Sequence, residues 1–599
     1  MIPFPRPLLR SALALALLAA GSGAPAQGLP PGVSPTLTRW VDALPIPPAA
    51  TPKAKPGISG WADYYEIAMT QHTHQFHSEL SPATVWTYGM KGQPGIYLGP
   101  TIVAHTGRPV VVKWFNQLPT DPEAFPLKNS VDPTIPGWDL PAGRAIPHLH
   151  GGKTAARFDG TPDQWWTADG QKGMAYVTDT FTYTNEQPAT LLWYHDHAMG
   201  ATRFNPYLGL AAAYLLFDKV DTGTTINGQK VPSGNHHLPI VLQDRTFNPD
   251  GSLWYPTQGN NAIHPIWMPE FFGDTPVING KAYPRLDAEP RRYRLRFLNG
   301  SQARFYDVAF DHDGKALPFW VIGSEQGLLP APAHKTHQLI APGERYDVIV
   351  DFTGLPLGAR ITLKNSAAAP YPSGDPANAL PDLMQIVMAH AVPASDPDLS
   401  VPPSALKLPA IARLQPTPGL PKREVVGEET EDPVTGTPVV MKLNGYAYMD
   451  PVADAVKAGT TETWEWINLT MDAHPMHTHL VAFQVLNRQA LKMDPETGEP
   501  LYKAAWDAYL ASGRTLPKPV LSRYLTGPSL PPEADELGFK DTVKAYPGFV
   551  TRIRATFDLP WTSVLDMDPA MRNFGTWVYH CHILEHEEND MMRPFEVVF

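Results

Sequence analysis

The chain reads as an all-β protein built from three β-sandwich domains. Composition points there first: proline makes up 67 of 599 residues, about twice its usual share, while apolar content is an ordinary 43%. That balance favours a folded, turn-rich chain over a disordered one. A chain of this length also exceeds what one core supports, so three or four domains are expected. The third observation is a repeat of turn, alternating strand and asparagine. It occurs as GRPVVVKWFNQL ending at Asn116, EPRRYRLRFLNGS at Asn299 and GTTETWEWINLT at Asn468, with asparagines 183 and 169 residues apart. Each unit has a second strand-like run, TLLWYHDH, ERYDVIVDF and TWVYHCH, and the period of two (Tyr293, Leu295, Phe297; Trp464, Trp466) marks half-buried strands.

Taken in order, residues 1–26 read as a secretory signal. Arg6 and Arg10 precede an apolar run from Ala12 to Ala20, and Ala24-Pro25-Ala26 forms a small-residue cleavage site, so the mature chain is expected to begin at Gln27. No paired arginines precede the apolar run, which favours the general secretory route, and no later run approaches the ~18 apolar residues of a membrane span. The expected location is periplasmic or extracellular. Residues 27–218 form the first domain, 236–390 the second and 425–599 the third, with linkers at 219–235 and in the Pro-rich stretch 391–424. The segment 488–540 breaks the strand rhythm, and its LYKAAWDAYLASG reads as a short amphipathic helix in a surface insertion rather than a lid. The formal charge is −12, or −14 once the signal's two arginines are removed. Without Lys/Arg clusters, that argues against nucleic acid or an anionic membrane as partner.

The histidines carry the functional signal. Random placement of 21 among 599 residues predicts ~0.7 His-x-His pairs, and the chain has five. They are His72/His74, His148/His150, His195/His197, His477/His479 and His580/His582. Side chains two apart on a strand share a face, so each pair offers two imidazoles to one place. His72/His74 has no partner motif and reads as ordinary polar surface. The other four pairs fall at strand ends in the first and third domains.

Cys581, the one cysteine of the chain, lies between His580 and His582. On a strand, this sends both imidazoles to one face and the sulfur to the other. One strand then touches two metal sites. On the sulfur side, His586, Met591 and a histidine from another strand, with His474 the candidate, would give the two-His, one-thiolate, weak-axial-Met set of a blue copper centre. On the other face, eight histidines can converge, and imidazole suits copper. Structural zinc sites favour several cysteines or an isolated four-ligand set, which this pattern lacks.

At these residues the chain resembles the multicopper oxidases, in particular the bacterial laccase, bilirubin-oxidase and spore-coat-laccase branch. The carrying motifs are HLHGG (148–152), WYHDHAMGATRFNPYLGL (193–210), HPMHTHL (474–480) and HCHILEHEENDMMRPF (580–595), with weaker similarity between them over nearly the whole mature chain. The resemblance implies three cupredoxin-like Greek-key domains and four copper ions. It implies a type 1 copper on His474, Cys581 and His586 with Met591 axial, and a type 2 copper on His148 and His477. The type 3 pair would take His150, His195 and His582 on one ion, and His197, His479 and His580 on the other. The trinuclear cluster would lie between domains one and three, with domain two as a spacer.

The implied activity is a laccase-like oxidation of phenols, aromatic amines or bilirubin-like tetrapyrroles by single electrons, coupled to four-electron reduction of O2 to water. Electrons would enter at the edge of His586, which in this family faces a shallow apolar pocket, and cross from Cys581 to His580 and His582. Asp159, in FDGTPDQW, and Glu587 match the family's acidic residues near the cluster and its water channel. Asp-Gly is also a common turn pair, and Glu587 also reads as a solvated helix charge. A lone cysteine excludes the interdomain disulfide of some relatives. No methionine-rich insert is present among the 17 Met, which counts against a dedicated cuprous oxidase. An Mn(II) or Cu(I) oxidase and a copper-sequestering or coat protein are the competing readings. A monomer is expected.

Overall fold

The computed structural model describes residues 32–570 and 572–599; the signal and the cleavage before Gln27 lie outside them. The strands form three successive pairs of sheets. In the first pair, one sheet orders Ala83–Met90, Asp63–His74, Val110–Asn116 and Thr180–Tyr183, and the other Ile102–His105, Ala211–Phe217, Thr190–Asp196 and Pro147–His150. The middle pair has eight and six strands. The last pair has five strands in each sheet, with Asn573–Cys581 held between Met592–Val598 and His474–Thr478.

The repeated asparagine has a physical cause. Each one ends a strand and closes the following turn by accepting from the backbone N–H two residues on: Leu118 N at 3.0 Å from Asn116, Ser301 N at 3.0 Å from Asn299, and Thr470 N at 2.8 Å from Asn468. Each side-chain amide then donates to two carbonyls: Gly143 and Trp166, Arg304 and Ile340, or Asp472 and Ala545. Such turns suit asparagine because its short amide serves as both acceptor and donor. In the third domain this turn leads directly to His474.

Alternation fills the cores as expected. Trp464, Trp466, Trp577, Tyr579 and Phe595 are all buried in the third domain's core together with Cys581 and Met591. The 219–235 stretch folds into a hairpin, Thr225–Ile226 with Gln229–Lys230. Its Asp221 is buried and paired with Arg294 and Arg296 of the middle domain. The Pro-rich stretch runs irregularly up to the strand Arg423–Glu431. Within it, Leu414 N donates to Gln484 Oε1 at 2.9 Å.

The inserted helix spans Leu501–Ala511. Its buried side chains, Tyr502 and Trp506, are one turn apart and pack with Val426, Ile467 and Val550 of the third domain, so the helix covers the outer face of a sheet. His72 and His74 depart from the surface reading: both are half-buried. His72 Nε2 accepts from Gly95 N at 2.9 Å, while His74 Nε2 bonds Gly280 O at 2.7 Å and its ring stacks on Tyr97. His74 joins the first domain to the second, His72 bonds within the first, and both stand apart from the other four pairs. No helix among the described residues is long and apolar enough to cross a membrane.

Candidate metal centre

Strand register brings the four pairs together. His148 pairs with His195 across neighbouring strands, and His477 with His580. Across the same ladder Met476 pairs with Cys581, so the sulfur and the imidazoles leave opposite faces. The strand ends at Cys581; His582 is the first residue beyond it, held by its N–H to Pro475 O at 2.7 Å. All eight histidines are buried.

Their rings are fixed from behind. His148 Nδ1 bonds Asp159 O at 2.6 Å, His195 Nδ1 bonds Asp196 O at 3.0 Å, and His477 Nδ1 bonds Asp541 O at 2.8 Å. His150 is turned the other way, with Nε2 3.2 Å from Asp541 Oδ1 and 3.3 Å from Thr542 Oγ1. The opposite atoms, His148 Nε2, His195 Nε2, His477 Nε2 and His150 Nδ1, are buried with no hydrogen-bond partner. Orphaned buried nitrogens are costly unless something binds them. His197 Nε2 and His479 Nε2 lie 3.4 and 3.3 Å from His580 Nε2. Nitrogens about 2.0 Å from one ion at tetrahedral angles stand ~3.3 Å apart, so this spacing fits a shared first-row metal. Burial, with the neighbouring His580 ring, pushes His197 down to about 4 and His582 to about 3, which favours the neutral form that metal binding requires.

On the other face, His474 Nδ1 and His586 Nδ1 lie 3.5 and 3.9 Å from Cys581 Sγ and 3.3 Å from each other. A thiolate at ~2.3 Å and an imidazole at ~2.0 Å from one ion, placed trigonally, stand ~3.7 Å apart. Burial pushes the Cys581 thiol well up, so a thiolate there calls for a bound cation. Met591 shares the apolar core with Cys581 and lines one small cavity with His474, whereas Met592 packs with Met199, Tyr448 and Val578 elsewhere. His586 sits on the single-turn helix Leu584–Glu588 and is 1% exposed. The imidazole edge expected to face an open donor pocket therefore lies beneath its neighbours. On the same helix turn, Glu585 is held by the middle domain's Tyr255 and Gln302.

Both candidate carboxylates are buried against the histidines rather than solvated. Asp159 Oδ2 accepts from His479 Nδ1 at 2.6 Å, and Oδ1 accepts from Thr154 Oγ1 at 2.5 Å. Desolvation raises Asp159 to about 8. Glu587 lies 3.1 Å from His580 Nδ1 and 3.4 Å from His197 Nδ1. Burial pushes Glu587 up, but the His580 and His197 rings outweigh it and hold the carboxyl near about 2.

Sequence reasoning missed Asp541, which touches two of the histidines. Its signal is faint, a charge beside Lys540 at the head of a short buried strand, Thr542–Ala545. The middle domain is also more than a spacer. Gly343, at φ +78°, lies where a Cβ would come within 2.8 Å of His582 and 3.2 Å of His150, so only glycine allows this approach.

A two-histidine, one-cysteine group of blue-copper type one residue from an all-histidine cluster, on a β-sandwich scaffold, defines a copper-dependent oxidoreductase. Comparison with known proteins agrees. Residues 417–598 match the family model described as multicopper oxidase. The laccase of Bacillus subtilis (strain 168) is 36% identical over 94% of this chain and 99% of its own. Multicopper oxidase LPR1 of Arabidopsis thaliana is 35% identical over 89% of this chain and 88% of its own. The crystal structure of the McoA multicopper oxidase from Aquifex aeolicus superposes with a TM-score of 0.67 at 24% identity, covering 94% of this chain and 100% of that one, and supports the fold. This chain belongs to the multicopper oxidase family.

Proposed function

We propose that the protein is a laccase-like enzyme that oxidises phenols, aromatic amines or bilirubin-like tetrapyrroles one electron at a time and reduces O2 to water. The observation that carries this is the pairing of Met476 with Cys581 and His477 with His580, which puts a sulfur site and an eight-histidine cluster on opposite faces of one strand. His474, Cys581 and His586, with Met591 beside them, would hold one copper. His148 and His477 would hold a second, His150, His195 and His582 a third, and His197, His479 and His580 a fourth. Copper, when bound, supplies one-electron acceptance at the sulfur site and multi-electron chemistry toward O2 at the histidine cluster.

The chain's own residues do the rest. The covalent run from Cys581 to His580 and His582 is the shortest link between the two faces. Asp159 fixes His479 through its carboxylate and His148 through its backbone carbonyl, and Glu587 faces the outer nitrogens of His197 and His580. Proton supply also falls to Asp159, whose raised affinity lets it hold a proton near neutrality. We further read the chain as an exported monomer.

Oxygen uptake by the copper-loaded protein on a donor panel tests the reading. Four donor electrons per O2 with no peroxide are expected. Release of peroxide, or turnover confined to Mn(II) or Cu(I), would contradict it.

A further inference from the structure

Arg345 belongs to the middle domain, yet it is wholly enclosed beside the histidine cluster. Its five guanidinium N–H groups all have acceptors, drawn from all three domains. Nε donates to Leu191 O of the first domain at 3.0 Å. Nη1 reaches Gly343 O at 3.1 Å, and Nη2 reaches Glu325 O at 3.3 Å, both in its own domain. The two remaining N–H groups grip Asp541 of the third domain as a fork, at 2.8 Å to Oδ1 and 2.6 Å to Oδ2. Gln326 Nε2 adds a bond to Asp541 Oδ2 at 2.7 Å.

Asp541 in turn holds two histidines. Its carboxylate meets His150 Nε2 at 3.2 Å and its backbone carbonyl meets His477 Nδ1 at 2.8 Å. These bonds leave His150 Nδ1 and His477 Nε2 as the unpartnered atoms. Room for the fork depends on Gly151, at φ +80° in HLHGG, where a Cβ would fall 2.4 Å from Asp541 Oδ2 and 2.5 Å from Arg345 Nη2.

We propose that Arg345, acting through Asp541, is the positioning residue that registers the three domains on one another and fixes which ring nitrogens of His150 and His477 face the metals of the histidine cluster. The inference rests on the copper reading above. It adds that cluster assembly depends on a middle-domain residue that touches no metal. Arginine is required because only a planar fork satisfies both oxygens while its remaining N–H groups reach the other two domains.

The test compares wild type with Asp541→Asn, Arg345→Lys and Gly151→Ala, each copper-loaded and then dialysed against a graded chelator. Copper per chain and electron paramagnetic resonance of the colourless copper are read, with the blue band of the sulfur site as the internal reference for folding. The expected result is an unchanged blue band, copper retention at the histidine cluster weakened roughly 10–100-fold, as for lost outer partners of metal-bound histidines, and altered resonance of the copper that remains. Arg345→Lys, which keeps the charge, should restore little of it. Equal retention in wild type and variants, or loss of the blue band in parallel, would overturn the inference while leaving the copper reading intact. A wild type that holds no copper at the histidine cluster would overturn both.

Discussion

Asp159 and Met591 show how much one side chain decides. Asp159→Asn keeps the size of the residue and an acceptor for His479, and its amide can donate to the Thr154 hydroxyl from which the carboxylate accepted, so the geometry should persist while ionisation is lost. Stopped-flow should then show donor bleaching of the blue band at near the wild-type rate and reoxidation by O2 slowed about 10²–10⁴-fold. Slowed bleaching instead would mean that Asp159 governs electron entry. Met591→Leu removes a weak sulfur donor from a packed core without changing its volume much, so the potential of the blue site should rise in a redox titration. At this scale, the histidines were legible because a period of two on a strand is a local rule. Asp541 and Arg345 were not, because their bond joins residues 196 apart in sequence and no local pattern announces it. His72/His74 obeys the same period yet is rightly set apart from the cluster, and only its surface placement is wrong, since spacing says which rings share a face and not what that face meets.

Elements follow the same division. The repeated asparagine turns and the Leu501–Ala511 helix could be read from sequence because their causes are local. Where that helix docks could not. Trp506 is buried on the third domain's sheet and its Nε1 donates to Glu428. Trp506→Ala should cost about 3–5 kcal/mol of that domain's stability, read by denaturant unfolding, with the blue band kept under native conditions. Desolvation raises Glu428 to about 7, with the Trp506 bond pulling the other way. The folded state therefore keeps this proton where the unfolded chain has lost it. Stability contributed by Glu428 is full at acid pH and falls as pH rises from the ordinary glutamate range to about 7. Glu428→Gln should flatten that part of the melting-temperature profile, and a profile identical to wild type would contradict the shift.

For the whole molecule, the account rests on one strand of the third domain serving two sites, with the histidine cluster closed by the first domain and braced by the second. Three sandwiches were legible from the repeat, but their convergence on one point follows from packing that composition and periodicity do not encode. The most direct measurement is the copper content and visible spectrum of the loaded protein beside Cys581→Ser. The account predicts about four coppers per wild-type chain with an intense band near ~600 nm from thiolate bound to Cu(II), and a variant that loses the band while keeping the copper of the histidine cluster. A colourless wild type with its full complement of copper, or a Cys581→Ser protein that stays blue, would contradict it.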